Sequence, residues 1–216
     1  MKHIKKSFDK IVNPLFGGIF GILSITSAII GDIIAYILFP GYSLTKKAVS
    51  YLCKGPGGIF FQLGAVLSGI FAILFLLSLA NSFSRNSSNE RLIKTSIFVS
   101  VVSCTCLILL GTFCGPNPII ALLHGTFAFI SWLFGLLYVT LLNILILKES
   151  KYSNYLAYIG FFLSWSLFLF LVVFLLHFHA PFHILLLILP SLEWFNTILI
   201  IVWYLIVSIC MIYKKV

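Results

Sequence analysis

The sequence predicts an all-α integral membrane bundle of six transmembrane helices, with a short re-entrant or surface-lying segment before the last, and three observations carry that prediction. Apolar stretches recur along the chain, each longer than the roughly 20 residues that span a hydrocarbon layer. Only 9% of residues are charged against 61% apolar, with mean hydropathy +1.16, whereas a soluble chain carries roughly 25% charge to solvate its surface. The basic residues, finally, gather in alternate loops.

Each element follows from punctuation in the chain. Met1–Lys10 is short and basic. The apolar run after it, about 14–39, exceeds a signal-peptide core and lacks a small-x-small cleavage site, so it reads as helix one, ended by Phe39-Pro40-Gly41. A loop from Pro40 to Pro56 carries Lys46, Lys47 and Lys54. Helix two covers about 57–83, and the Ser- and Asn-rich Asn81–Glu90 reads as a solvated turn. Helix three covers about 94–114 and helix four about 118–148, with Pro118 in the first turn, where a missing N–H is tolerated. After the polar turn Lys148–Asn154, helix five covers about 155–177. His183–Leu189, between Pro181 and Pro190, is too short to span, so residues 178–190 read as re-entrant or surface-lying, with protein covering any backbone at membrane depth. Helix six is about 191–213. The whole chain, 1–216, forms a single transmembrane domain.

Charge sets the orientation. The formal net charge is +9, from 14 Lys and Arg against 5 acids, but no basic cluster is interleaved with exposed aromatics, so nucleic acid is not expected as a partner. With the N-terminus inside, 11 of the 14 basic residues fall on the cytoplasmic side and only Lys46, Lys47 and Lys54 outside. Both termini are therefore expected in the cytoplasm of a cell-membrane protein. Among five cysteines, Cys104, Cys106 and Cys210 lie within apolar runs, leaving Cys53 and Cys114 as the two that could meet outside; whether they are bridged stays open.

The buried polar residues fall on small-residue stripes, the faces by which membrane helices approach closely. Helix one places Gly17, Gly21, Ser24, Ala28, Gly31 and Ala35 along one side, with Asp32 on the same face. Helix two repeats the pattern with Gly58, Gln62, Ala65, Gly69 and Ala72, and helix four with Ala121, His124, Ala128, Ser131 and Gly135. Helix six carries Glu193, Thr197, Ile200, Tyr204 and Ser208 on one face. At ~1.5 Å per residue, Asp32 lies about 12 Å, Gln62 about 8 Å and His124 about 9 Å from the outer helix ends, with Glu193 at the outer mouth of helix six. The loop above them offers Tyr42, Lys46, Lys47 and Ser50. An Asp in a spanning segment costs roughly 2.5–3.5 kcal/mol to insert, so the set points to a polar cavity in which His124 or Gln62 stabilises Asp32.

Two motifs carry less. His179 and His183 have the i, i+4 spacing that presents two imidazoles for zinc, but Pro181 between them opposes a continuous helix; they stand as the only metal candidates, and no metal is assigned. Gly55-Pro56-Gly57-Gly58 lacks the Gly-Lys-Ser/Thr ending of a phosphate-binding loop and reads as a turn. No cofactor motif is present.

Gly31-Asp32 with Phe39-Pro40-Gly41-Tyr42-Ser43 and Ala48-Val49-Ser50 resembles the first-helix and outer-loop signature of the domain-of-unknown-function 998 family. Gly57–Gln62 with Ser68-Gly69, Gly111-Thr112-Phe113 with His124–Phe129, and Leu192-Glu193-Trp194 with Trp203 resemble its second, third-to-fourth and last helices. The usual Glu-Arg of the last helix is Glu193-Trp194 here, so no Arg partner follows that Glu. The resemblance implies a multi-pass protein without a settled activity, similar in layout to six-helix proteins of lipid handling, and it singles out Asp32, Ser50, His124 and Glu193.

The function expected from these readings is non-enzymatic binding of a lipid headgroup or small polar ligand in an outward-facing cavity lined by Asp32, Tyr42, Lys46, Ser50, Gln62, His124 and Glu193, with Lys46 and Lys47 suited to a phosphate and Asp32 with Glu193 to an amine. The alternatives are an intramembrane lipid hydrolase using His124, Asp32 and the His179/His183 pair, with or without metal, and a small transporter. Membrane lipids are the expected partners; oligomeric state is not legible.

Overall fold

The structure, a computed structural model, describes residues 13–84, 87–115, 117–179 and 183–213, without the side chains of 87, 88, 178, 179 and 183–186. Expectations that fall on Arg85, Pro116, Pro181 and the terminal lysines lie outside these residues. The helices are α1 (Pro14–Ile37), α2 (Gly58–Asn81), α3 (Ser87–Thr112), α4 (Pro118–Lys148), α5 (Asn154–His179) and α6 (His183–Tyr213), with a 3₁₀ helix, Val49–Lys54, between α1 and α2. Among the described residues six helices are long and apolar enough to cross a membrane. Large apolar side chains such as Ile37, Phe98, Leu122 and Trp165 point outward, a surface that suits lipid rather than water. The chain is a multi-pass membrane protein.

Local chemistry starts the helices where the sequence places them. Asn13 and Asn117 are N-caps whose side-chain oxygens accept from the N–H of Phe16 (3.0 Å) and Ile119 (2.9 Å), each followed by a first-turn proline whose absent N–H leaves nothing unsatisfied. Two boundaries differ from expectation. α3 starts at Ser87 rather than 94, so Ser87–Glu90 is its first turn instead of part of a solvated loop, and Glu90 pairs with Lys94 at 2.7 Å across one turn. His183–Leu189, expected as a separate re-entrant or surface-lying piece, belongs to α6. Pro190 lies inside that helix and is buried, a position at which a membrane bundle tolerates the backbone bond it omits.

Each helix packs on its neighbours in sequence, and α1 closes the ring on α6. The small-residue stripe of α1 makes the closest approach: a Cβ on Gly31 would lie 2.6 Å from the Phe60 carbonyl oxygen and 2.9 Å from Gly64 Cα. Hydroxyls bridge the crossings, each such bond contributing about 0.6 kcal/mol within a membrane bundle. Ser24 donates to the Ser68 carbonyl at 3.0 Å across α1–α2, and Ser103 and Ser131 donate to each other's carbonyls at 2.8 and 3.1 Å across α3–α4.

One end of the ring is filled. Phe75, Leu142, Trp203 and Val207 are fully buried there, and Trp203 Nε1 donates to Asn143 Oδ1 at 3.3 Å. Beyond them the α2–α3 and α4–α5 turns join: Glu149 accepts from the N–H (2.5 Å) and hydroxyl (3.0 Å) of Ser84, Lys151 donates to the Ser82 carbonyl, and Tyr152 shares a hydrogen bond with Ser82 (2.8 Å). Burial lifts the Tyr152 phenol to about 12, the Ser82 contact offsetting a small part.

The other end carries a lid, residues 38–57. The 3₁₀ helix packs on α1, α2 and α6, and Gly41 turns the chain at a positive φ of 69°, a conformation glycine adopts without strain. A disulfide joins Cys53 to Cys114, whose Cα atoms lie 5.7 Å apart, pinning the lid to the end of α3. Cys104, Cys106 and Cys210 are free.

A candidate ligand cavity beneath the lid

Because the ring is filled at one end only, a cavity of about 250 Å³ is left under the lid. Asp32, Ser50, His124 and Glu193 all line it. The stripes read from the sequence account for much of the wall: Ser24 and Ala28 of α1, His124, Ala128, Ser131 and Gly135 of α4, and Glu193, Thr197, Ile200 and Tyr204 of α6. Phe61 lines it at the lid end, and deeper in the lining turns aromatic, with Phe129, Trp132 and Phe170. The floor is the Tyr138–Tyr204 hydroxyl pair at 3.1 Å. A smaller cavity of about 120 Å³ also touches Ser50 and His124 and reaches Cys53 and Lys54.

His124 is fixed by the helix before it. The carbonyls in the last turn of α3 have no intrahelical donor, and His124 Nδ1 lies 2.9 Å from the Leu110 oxygen and 3.0 Å from that of Phe113. Both partners only accept, so Nδ1 carries the proton; in the neutral ring Nε2 is then a bare acceptor. That Nε2 is buried and has no hydrogen-bond partner.

Glu193 is tied to the lid. Its Oε1 accepts from the Ser50 backbone N–H at 3.0 Å, and the residue is 8% exposed. The expectation of a Glu at the outer mouth of the last helix is thus corrected: α6 begins at His183, which puts Glu193 about three turns inside it. Asp32 lies within electrostatic reach of Glu193. The expected partnership of Asp32 with His124 or Gln62 is not formed, since the imidazole's proton serves the α3 carbonyls.

Gln62, Tyr42 and Lys46 stand outside the cavity wall. The face of α2 on the cavity is Phe61, Ala65, Ser68 and Ala72; Gln62, one residue and ~100° further round, sits toward α3, where its carbonyl oxygen approaches Gly111. Tyr42 holds the lid's shape. Its hydroxyl donates to the Ala48 carbonyl at 2.5 Å, with the Lys47 oxygen at 3.0 Å, and accepts from Trp194 Nε1 at 3.2 Å. Burial raises the Tyr42 phenol well above its usual value, opposed in part by that Trp194 donor. Lys46 is exposed, and the Lys47 ammonium lies over the rings of Phe39 (4.5 Å), Tyr51 (5.1 Å) and Tyr42 (5.9 Å), an aromatic cage rather than a phosphate contact.

Sequence reasoning missed Trp194, which holds the lid to α6 through Tyr42 and the Lys47 carbonyl (3.2 Å). It also missed Ser103, on a helix for which no stripe was read, and Tyr138, which follows Gly135 by three residues on the α4 stripe. The side chains of His179 and His183 lie outside the described residues, and among those described no group of three His, Cys, Asp or Glu is placed to hold a metal ion.

No curated protein and no solved structure matches this chain. The family described as "Protein of unknown function (DUF998)" matches residues 22–209, a span that runs from α1 to α6 and takes in Asp32, Ser50, His124 and Glu193. The chain belongs to that family.

Proposed function

We propose that this chain binds a small polar ligand or a lipid headgroup in the cavity beneath its lid, without chemical turnover. The observation that carries the reading is the His124 Nε2 lone pair, buried and unpartnered on a residue that lines the same cavity as Asp32 and Glu193 in a membrane bundle. Buried polar groups are hydrogen-bonded as a rule, and ionisable residues at membrane depth are costly enough to mark function by default. A ligand bringing hydrogen-bond donors satisfies all three groups together. At about 250 Å³ the cavity falls just under the roughly 300–1,000 Å³ of drug-sized sites, so a headgroup-sized occupant fits.

The same reading puts the lid outside and both termini in the cytoplasm of the cell membrane, with bilayer lipids as partners. The 11 to 3 distribution of basic residues and the disulfide at the lid end support that orientation. Native mass spectrometry of the purified protein tests the binding: a co-purified small molecule or lipid is expected on the wild type and lost from Asp32→Asn at unchanged thermal stability. Equal occupancy of both proteins would count against the cavity as the site.

A further inference from the structure

We infer that the ligand presents a primary ammonium group on a short apolar body, the ammonium facing Asp32, Glu193 and His124 and the body lying among Phe129, Trp132 and Phe170. This rests on the ligand-binding reading above and names its chemistry. The ammonium end follows from a donor and acceptor tally. Asp32 offers carboxylate oxygens that no hydrogen bond within the described residues occupies. Glu193 accepts from Ser50, through the backbone N–H on Oε1 at 3.0 Å and through the hydroxyl, and keeps further lone pairs for a ligand. His124 spends its Nδ1 proton on two carbonyls, which leaves Nε2 able only to accept while the ring is neutral. The upper cavity therefore holds three acceptor groups from three different helices. Among the described residues no lysine or arginine lines it, and its donors are hydroxyls, of which Ser24, Ser103 and Ser131 already serve backbone carbonyls while Tyr138 and Tyr204 share one hydrogen bond.

An anion there would meet two acidic side chains and a lone pair, with no Lys or Arg in the described cavity wall to offset them. A quaternary ammonium would bring the positive charge but leave every acceptor unsatisfied, because it has no N–H. A primary ammonium brings one positive charge and three N–H donors, which matches the three acceptor groups in number and complements their charge. The lower wall accounts for the rest of the molecule, since aromatic and aliphatic side chains there reward an apolar body and offer it few polar contacts. The source is an amine free in solution, since an aminophospholipid holds an anionic phosphodiester two carbons from its ammonium, where the cavity offers apolar side chains.

Calorimetric titration of the full chain in phosphatidylcholine nanodiscs, with empty nanodiscs subtracted, tests this using four six-carbon probes: hexylamine, N,N,N-trimethylhexylammonium, hexanol and hexanoate. Hexylamine is expected to bind about ten- to a hundredfold tighter than each of the others, the span that losing hydrogen bonds to charged groups implies. Asp32→Asn should weaken hexylamine by about tenfold and leave hexanol unchanged. Phe98→Ala, on the outward face of α3 and away from the cavity wall, should bind hexylamine as the wild type does. Repeating the titration in nanodiscs containing phosphatidylethanolamine should leave hexylamine affinity unchanged, and competition by that lipid would overturn the apolar-body assignment. Equal or tighter binding of the trimethyl probe or of hexanoate overturns the ammonium assignment, as does failure of hexylamine to bind. The broader reading is scored separately by the co-purified molecule, so a non-amine species lost from Asp32→Asn would overturn this inference alone.

Discussion

The backbone N–H of Ser50 donates to the Glu193 carboxylate at 3.0 Å, joining positions 143 residues apart and closing the lid onto α6 directly above the cavity. Trp194, the next residue, repeats the tie through Tyr42 and the Lys47 carbonyl. The lid is thus held by α6 on one side and by the Cys53–Cys114 disulfide on the other.

Removing the first of these ties should loosen the lid locally. A hydrogen bond to a charged group contributes about 1.5–3 kcal/mol, so Glu193→Leu should speed amide exchange at Ser50 by at least about tenfold, while Glu193→Gln, which keeps an acceptor, should change it less. Hydrogen exchange with mass spectrometry over residues 48–54 reads both variants. Equal protection in all three proteins would remove Glu193 from the lid.

The disulfide makes a count. Thiol alkylation of the denatured protein should label Cys104, Cys106 and Cys210 without reductant, and Cys53 and Cys114 only after reduction. Removing the bridge should cost about 2–5 kcal/mol by the usual range for native disulfides. Labelling of all five cysteines in unreduced protein from the membrane would show that the bridge does not form.

At the α1–α2 crossing the expectation is steric. Gly31→Ala puts its Cβ against the Phe60 carbonyl and Gly64, so α1 and α2 must separate, at about 1–3 kcal/mol. Gly125→Ala meets nothing within 4 Å and should be neutral or stabilising by up to about 1 kcal/mol from helix propensity. Thermal unfolding in one detergent should rank the pair in that order.

Tyr152 gives a pH dependence at the filled end. Its phenol titrates near 10 when unfolded and at about 12 when folded, mainly through burial, so the folded state holds the proton more tightly. The contribution from Tyr152 is whole below pH 10 and is lost as pH rises from 10 through 12. Tyr152→Phe should flatten stability over that window, and phenolate absorbance in the folded wild type should show a tyrosine near 12 that is absent from the variant.

Orientation is tested by cysteine accessibility. Single-cysteine probes at Ser87 and Lys46, in a background without the exposed native thiols, should react from opposite sides of the membrane, with Lys46 labelled from outside. Labelling of both positions from outside would contradict six alternating crossings.

The sequence made the stripes legible because helical periodicity places residues on a face without reference to other helices. Ser24, Ala28 and Asp32 on α1, with His124, Ala128, Ser131 and Gly135 on α4, follow from spacing alone. Gln62 shows the resolution of that reasoning: α2 carries two overlapping faces that share Ala65 and Ala72, and only packing selects the one through Phe61 and Ser68. Partners were less legible. His124 bonds to backbone carbonyls exposed by the end of α3, and residue types do not encode which carbonyls those are. The lid contacts of Trp194 and Lys47 depend on how a loop folds back over a distant helix. Pro190 misled for a different reason, since a proline that ends a helix in water is tolerated within a bundle that supports it.

The most direct test of the account is an experimental structure of the wild type in lipid nanodiscs at side-chain resolution, paired with one of Asp32→Asn. The account expects non-protein density in the cavity within hydrogen-bond distance of Asp32, Glu193 and His124 Nε2, and its loss in the variant with the bundle unchanged. A cavity closed by collapse of the surrounding side chains, or an Asp32 turned to the lipid face, would contradict it and leave these residues a structural role only.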